Sequence, residues 1–173
     1  MATKISSQIA AEEAAGYELE STIDYIVEQA RTAIDATDTS YVGGEWYWPT
    51  PDYYYVSYGF GGRVHPLYGT NDFHNGIDIL GDYGAKIVAA RSGLVSYAGW
   101  MSGYGNTVII DHGDGTQSLY AHGSEIVVDY AQMVKAGDYI MAMGSTGVST
   151  ANHLHFGVMS DGYWVNPSNY VGY

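Results

Sequence analysis

Two short segments and one isolated histidine concentrate the residue types that could do chemistry. The stretch "GVSTANHLHFGV" sets His153 and His155 on either side of Leu154. In an extended chain alternate side chains share a face, roughly 6.5 to 7 Å apart at the backbone. Both imidazoles then look into one space while Leu154 points into a core. Upstream, "DFHNGIDIL" carries His74 and Asp78. A straight strand would hold these two about 13 Å apart, too far to share an ion whose bonds are about 2.0 to 2.2 Å long. The Asn75-Gly76 dipeptide is a strong turn signal that can curl the backbone and bring both side chains to one point. Between the two motifs, "SLYAHG" ends an alternating run on His122. Four histidines and an aspartate are thus candidates for one centre. A mononuclear hydrolytic zinc needs three protein ligands and one open position, and two neutral imidazoles with one carboxylate leave net positive charge there. That charge lowers the pKa of bound water toward roughly 7. The two histidines left over would handle protons and a developing oxyanion.

The elements that must position these groups are short strands. Apolar residues make up 46% of the 173-residue chain, with 23 glycines, 18 tyrosines and only 14% charged residues, which favours many strands joined by tight turns. Runs such as "AKIVAA", "GLVSYAG", "NTVIIDH", "QSLYAH", "EIVVDY" and "YIMAMG" follow one another with no helical segment between them. Asp-Gly in "IDHGDGTQ" marks a hairpin. The glycine-rich "GFGGR" and "GWMSGYGN" read as strand-linking loops, since neither precedes a helix carrying the lysine of a phosphate-binding loop. Only the beginning differs: Leu19, Ile23, Ile26, Ala30 and Ala33 recur at alternating gaps of four and three, the seam of an amphipathic or coiled-coil helix. The glycines, prolines and aromatics of "YVGGEWYWPTPDYYY" end that pattern. We therefore expect a helical extension over 1–44, the end of a longer stalk, and a mainly β domain over 45–173.

The formal charge of −13 repels a polyphosphate backbone and argues against nucleic acid as a partner. The absence of cysteine fits either side of a membrane. No apolar run approaches the roughly 18 to 20 residues needed to span a bilayer. The opening "MATKISSQIAAEEAAGYE" lacks the contiguous apolar core of a signal peptide, so the chain taken literally reads as soluble and unexported.

From about residue 57 to 170 the sequence resembles the M23 family of zinc peptidases, the lysostaphin-type or LytM-type peptidoglycan endopeptidases. The resemblance rests on "GFGGRVHP", "FHNGIDI", "GLVSYAGWMSGYGNTVIIDHGDG", "LYAH", "VKAGDYI", "GSTGVSTANHLHF" and "VNPSNY". It implies an antiparallel β-sheet or β-sandwich fold and one zinc ion per chain, with His74, Asp78 and His155 as ligands. His122 and His153 match the two non-ligand catalytic histidines. Arg63 and His65 match an Arg-x-His-Pro element beside the cleft, with a substrate role. His112 has no catalytic counterpart and reads as a strand-end histidine. The implied substrate is the peptide part of bacterial cell wall, so the implied location is extracellular or in the wall. Export would then rest on a longer, secreted or membrane-tethered parent.

Four positions depart from the family pattern. Ala151-Asn152 replaces the usual Gly-Pro, Gly157 replaces a common glutamate, and Ala131 stands where glycine is frequent. The missing glutamate is expected to loosen the orientation of a ligand. A catalytically silent M23-like module that binds wall or activates a partner hydrolase is the rival reading. A lipoyl-type carrier is not favoured, because Met141-Ala142-Met143 occupies the place of its attachment lysine. Tyr53 to Tyr55, Trp100 and Tyr104 could line a peptide groove, but as a group they read better as cover for the β core.

Overall fold

Every apolar run bounded by Gly, Asp or Asn between residues 56 and 165 forms or contains a strand, as β-branched and aromatic residues favour. The structure is a computed structural model describing residues 43–64 and 69–172. The side chain of Arg63, all of His65 and the helix expected within 1–44 lie outside the described residues.

The described strands are β1 (Val56–Tyr58), β2 (Gly61–Val64), β3 (Asn71–His74), β4 (Gly76–Leu80), β5 (Lys86–Val88), β6 (Gly93–Met101), β7 (Gly105–Asp111), β8 (Thr116–Gly123), β9 (Glu125–Ile126), β10 (Met133–Val134), β11 (Tyr139–Ala142), β12 (His153–Ser160) and β13 (Tyr163–Val165). A single helical turn, α1 (Ser168–Val171), follows Pro167 and stops at Gly172, whose φ of 68° suits glycine. The main sheet runs β1-β4-β12-β8-β7-β6-β10, with β13 also on β12. A second sheet is β5-β11-β9, and β2 and β3 form a separate ribbon. All described pairings are antiparallel. This is the mainly antiparallel β architecture of the LytM type.

Alternation sorts the main sheet into two faces. Ile77 and Ile79 of β4, Leu154, Phe156 and Val158 of β12, Tyr120 of β8 and Val108 and Ile110 of β7 point to one side. There they form one buried cluster with Ile87, Ile140, Met141 and Met143. Each such side chain stabilises by roughly 1.5–3 kcal/mol on burial, and truncating the fully buried Phe156 to alanine would cost about 3–5 kcal/mol. The residues between them on β4 and β12, Asp78, His153 and His155, face the other way. Register completes the placement, because His155 pairs directly with Asp78.

Several segments differ from the sequence expectation. "EIVVDY" supplies only the two residues of β9, because Val128 turns into the core and the Asp129–Gln132 turn follows. Most of "GFGGR" is strand β2 rather than loop, paired along its length with β3. The loop expected within "GWMSGYGN" shrinks to residues 102–104, since β6 runs to Met101 and β7 starts at Gly105. The "IDHGDGTQ" hairpin forms as expected, with Gly113 and Gly115 at φ 77° and 87°.

Candidate metal centre

His74 ends β3 and Asp78 sits in the middle of β4, with Asn75 alone between the two strands; β3 pairs with β2 while β4 pairs with β1 and β12, so the two residues do not lie on one straight strand. β12 lies against β4 and brings His155 to the same point. His74 Nε2 lies 3.0 Å from Asp78 Oδ1 and 3.0 Å from His155 Nδ1. His155 Nδ1 lies 2.9 Å from Asp78 Oδ1. All three residues are buried, and among the described residues they form a group able to hold a metal ion.

The protonation pattern bears on whether a cation fits. His74 Nδ1 donates to the Gly59 carbonyl at 2.8 Å, which leaves a lone pair on Nε2 of the neutral ring. That nitrogen and the Asp78 carboxylate meet across 3.0 Å, where either a proton or a shared cation bridges them. The contacts are a few tenths of an ångström shorter than the roughly 3.3 Å edge of a tetrahedron with zinc-nitrogen bonds of about 2.0 to 2.1 Å. Donor types, burial and convergence all fit zinc. Burial opposes ionisation of Asp78, but hydrogen bonds and charge from His155 and His74 outweigh it and hold the carboxyl well below the usual carboxylate range. Burial pushes the His155 imidazole down, toward the neutral form that a metal requires.

The His155 ring packs directly against β4 at Gly76. A methyl group at position 76 would lie 2.5 Å from the Phe156 carbonyl oxygen and 2.8 and 2.9 Å from His155 Cε1 and Nε2. Glycine at 76 is thus a packing requirement. His155 Nε2 is buried without a hydrogen-bond partner. Tyr104 packs its ring 5.4 Å from that of His155 and accepts a 2.6 Å hydrogen bond from Asn75 Nδ2. Where a family glutamate would stand at 157, a Cβ would meet the Trp164 ring at 2.7 Å. The indole occupies that space instead.

His122 and His153 complete the cluster, with ring centroids 4.6 Å apart. His153 Nε2 lies 3.7 Å from Asp78 Oδ1. His153 Nδ1 donates to the Ala151 carbonyl at 2.8 Å, with Ser149 Oγ at 3.3 Å; replacing Gly-Pro by Ala-Asn therefore keeps the acceptor. His122 Nδ1 donates to the Thr146 carbonyl at 2.8 Å. Both rings, as their partners assign the tautomers, turn Nε2 away from these carbonyls. Burial, then the neighbouring His155 and His153, push the His122 pKa down to about 3.

Strand alternation alone would misplace His122. Phe156 pairs with Tyr120 and His155 with Ala121, so the next residue belongs on the core side with Tyr120. Instead His122 adopts a φ of 66°, which breaks the alternation and lets the ring join His153. Arg63 lies on β2 with its backbone opposite Asp72; nothing further places Arg63 or His65 at the site. His112 is fully buried, accepts from Ser118 Oγ at 3.0 Å and donates to the Ser92 carbonyl at 2.9 Å, a structural role. Of the aromatic residues singled out, Tyr104 packs against the site, while Tyr54, Tyr55 and Trp100 are exposed. Gly59, Thr146 and Ala151 act through backbone carbonyls, a contribution that carries no residue-type signal.

The model of peptidase family M23 matches residues 72–167. The chain belongs to this family. The chain is 42% identical over 138 residues to the murein hydrolase activator NlpD of Salmonella dublin, covering 79% of this chain and 34% of that protein. It is 39% identical over 112 residues to the DD-carboxypeptidase/endopeptidase Mpg of Neisseria meningitidis serogroup B, covering 65% and 26%. The chain thus spans at most about a third of the length of these curated relatives. Among solved structures, a zinc containing peptidase from Vibrio cholerae superposes with a TM-score of 0.64 at 31% identity, covering 72% of this chain and 39% of that one.

Proposed function

We propose that the protein is a zinc-dependent endopeptidase that hydrolyses amide bonds in the cross-links or stem peptides of peptidoglycan. The observation that carries this reading is the complete set of five side chains. Three donors converge within hydrogen-bonding distance, and two further imidazoles stand beside them with Nδ1 anchored on main-chain carbonyls.

One zinc ion would be held by His74 Nε2, Asp78 Oδ1 and His155 Nδ1, and when bound it polarises a carbonyl and acidifies water. His122 and His153 handle the protons. Each has Nδ1–H anchored on a main-chain carbonyl, so each can accept a proton at Nε2 without reorienting. The ring that has taken up the proton becomes an N–H donor toward a developing oxyanion or the leaving amine. Arg63 and His65 are assigned to the substrate side of the cleft by family resemblance. We assign residues 1–44 to a helical extension and 45–173 to the peptidase domain. The protein is assigned a place of action outside the cytoplasm, on the wall.

Incubating the zinc-loaded chain with purified peptidoglycans of different cross-bridge chemistry, followed by mass analysis, tests this. New amino termini within the peptide part are expected. A protein that binds one zinc yet releases no fragment from any wall would sink the enzyme reading. The second reading, a module that activates a partner hydrolase, is favoured by the 42% identity to a relative named as an activator. It predicts fragments only when a separate hydrolase is added.

A further inference from the structure

We propose that Thr146 is a positioning residue that holds His122 in the site, an inference that rests on the peptidase reading and deepens it. His122 occupies a backbone conformation that L-residues with side chains rarely adopt, and such strain persists only where surrounding contacts over-determine it. Those contacts converge on Thr146. Its carbonyl accepts the His122 Nδ1–H at 2.8 Å, and its N–H reaches the His122 carbonyl at 3.4 Å. Its hydroxyl donates to the carbonyl of the next residue, Gly123, at 2.7 Å. That same hydroxyl accepts the Asn106 N–H at 3.0 Å. Asn106 Nδ2 in turn donates to the Gly123 and Ser124 carbonyls at 3.1 and 3.3 Å.

Thr146 therefore brackets His122 from both sides: the carbonyl fixes the ring, and the hydroxyl fixes the backbone just after it. The loop can lie this close because Gly105 presents no side chain; a Cβ there would collide with Thr146 Oγ1, C and O. Opposite, the His122 N–H donates to the Tyr104 carbonyl at 2.8 Å. Without the Thr146 hydroxyl, the loop is held to β8 at this point only by bonds to His122 itself, the 3.4 Å main-chain bond and the imidazole's own bond to the Thr146 carbonyl. The imidazole is then free to exchange tautomer and to swing from the face of His153. The metal ligands are on other elements and keep their places.

The test compares Thr146→Val, which removes the hydroxyl at nearly constant shape, with Thr146→Ser, which keeps it. The full zinc-loaded chain, labelled with 15N, is read by long-range proton–nitrogen correlation of its imidazoles and by turnover of purified peptidoglycan. In Thr146→Val, His122 is expected to lose its single Nδ1–H tautomer pattern and its ring–ring contact with His153, while zinc stays at one per chain. Turnover should fall about 10- to 100-fold, the size expected for a misplaced proton carrier, with KM within about twofold, and Thr146→Ser should restore both readouts. A folded Thr146→Val protein with the native His122 pattern overturns the proposal, as does a Thr146→Ser protein that loses it equally. Should Thr146→Val fail to fold, Asn106→Ala, which removes the outer bonds to Gly123 and Ser124, must reproduce the His122 change or the proposal falls. Because the spectra need no substrate, an absence of hydrolysis in the parent protein would defeat only the peptidase reading.

Discussion

Gly76→Ala probes the packing that fixes His155. The added methyl would sit 2.5 Å from the Phe156 carbonyl oxygen and 2.8–2.9 Å from the imidazole, where about 3.4 Å is comfortable for carbon contacts. Backbone at position 156 is pinned on both sides, by Ile77 of β4 and Tyr120 of β8, so the movable neighbour is the ring. Relief requires a shift of roughly half an ångström or more, taking Nδ1 off the point it shares with His74 and Asp78. Overpacking of this kind costs about 1–3 kcal/mol, which lowers Tm by about 3–10 °C for a domain of this size. Zinc affinity should fall about 10- to 100-fold, as when a ligand loses its orientation. Gly62→Ala is the control, since a methyl there meets nothing within 4 Å. Calorimetry with and without zinc and competition against a chromogenic chelator read both quantities. If Gly76→Ala binds zinc as tightly as the parent and melts at the same temperature, the contact does not govern the ligand.

Three further outcomes follow from the geometry. His155→Ala is expected to abolish stoichiometric zinc binding, whereas His153→Ala should keep the metal and lose about 10²- to 10⁴-fold in turnover; elemental analysis and a hydrolysis assay separate them, and the reverse result would exchange the two roles. Ala131→Gly should raise stability by about 0.5–1 kcal/mol in urea titration, because Ala131 is exposed and held at a φ of 63° that glycine adopts without strain. Burial depresses His112 to about 4 from its usual 6.5, so the unfolded chain binds the extra proton first. Its contribution of about 3 kcal/mol is complete above pH 6.5 and is lost as pH falls through 4; an imidazole NMR titration of His112 with a midpoint near 6.5 would contradict this.

The sheet and the convergence of three donors are legible because both depend on local rules. Period-two alternation places His153, His155 and Asp78 on one face, and the strand break at Asn75 lets three intervening residues bring His74 to Asp78. The placement of His122 is not legible by those rules. Alternation sends it to the core with Tyr120, and only contacts from Tyr104 and Thr146, both remote in sequence, reverse it. The absent glutamate at 157 shows the same limit. Sequence presents it as a loss of support for a ligand, whereas Trp164, from the neighbouring strand, fills the space. The family resemblance supplies the histidine roles, and the positive φ supplies the physical route by which one of them is met.

The donors of the metal centre are carried by paired strands, while the two proton-handling rings hang from carbonyls of one loop, residues 146 and 151. On the proposed function, cation capture and proton handling would therefore be mechanically separable. Remodelling a handful of loop residues is then expected to silence proton handling while the strand-borne donors keep their convergence.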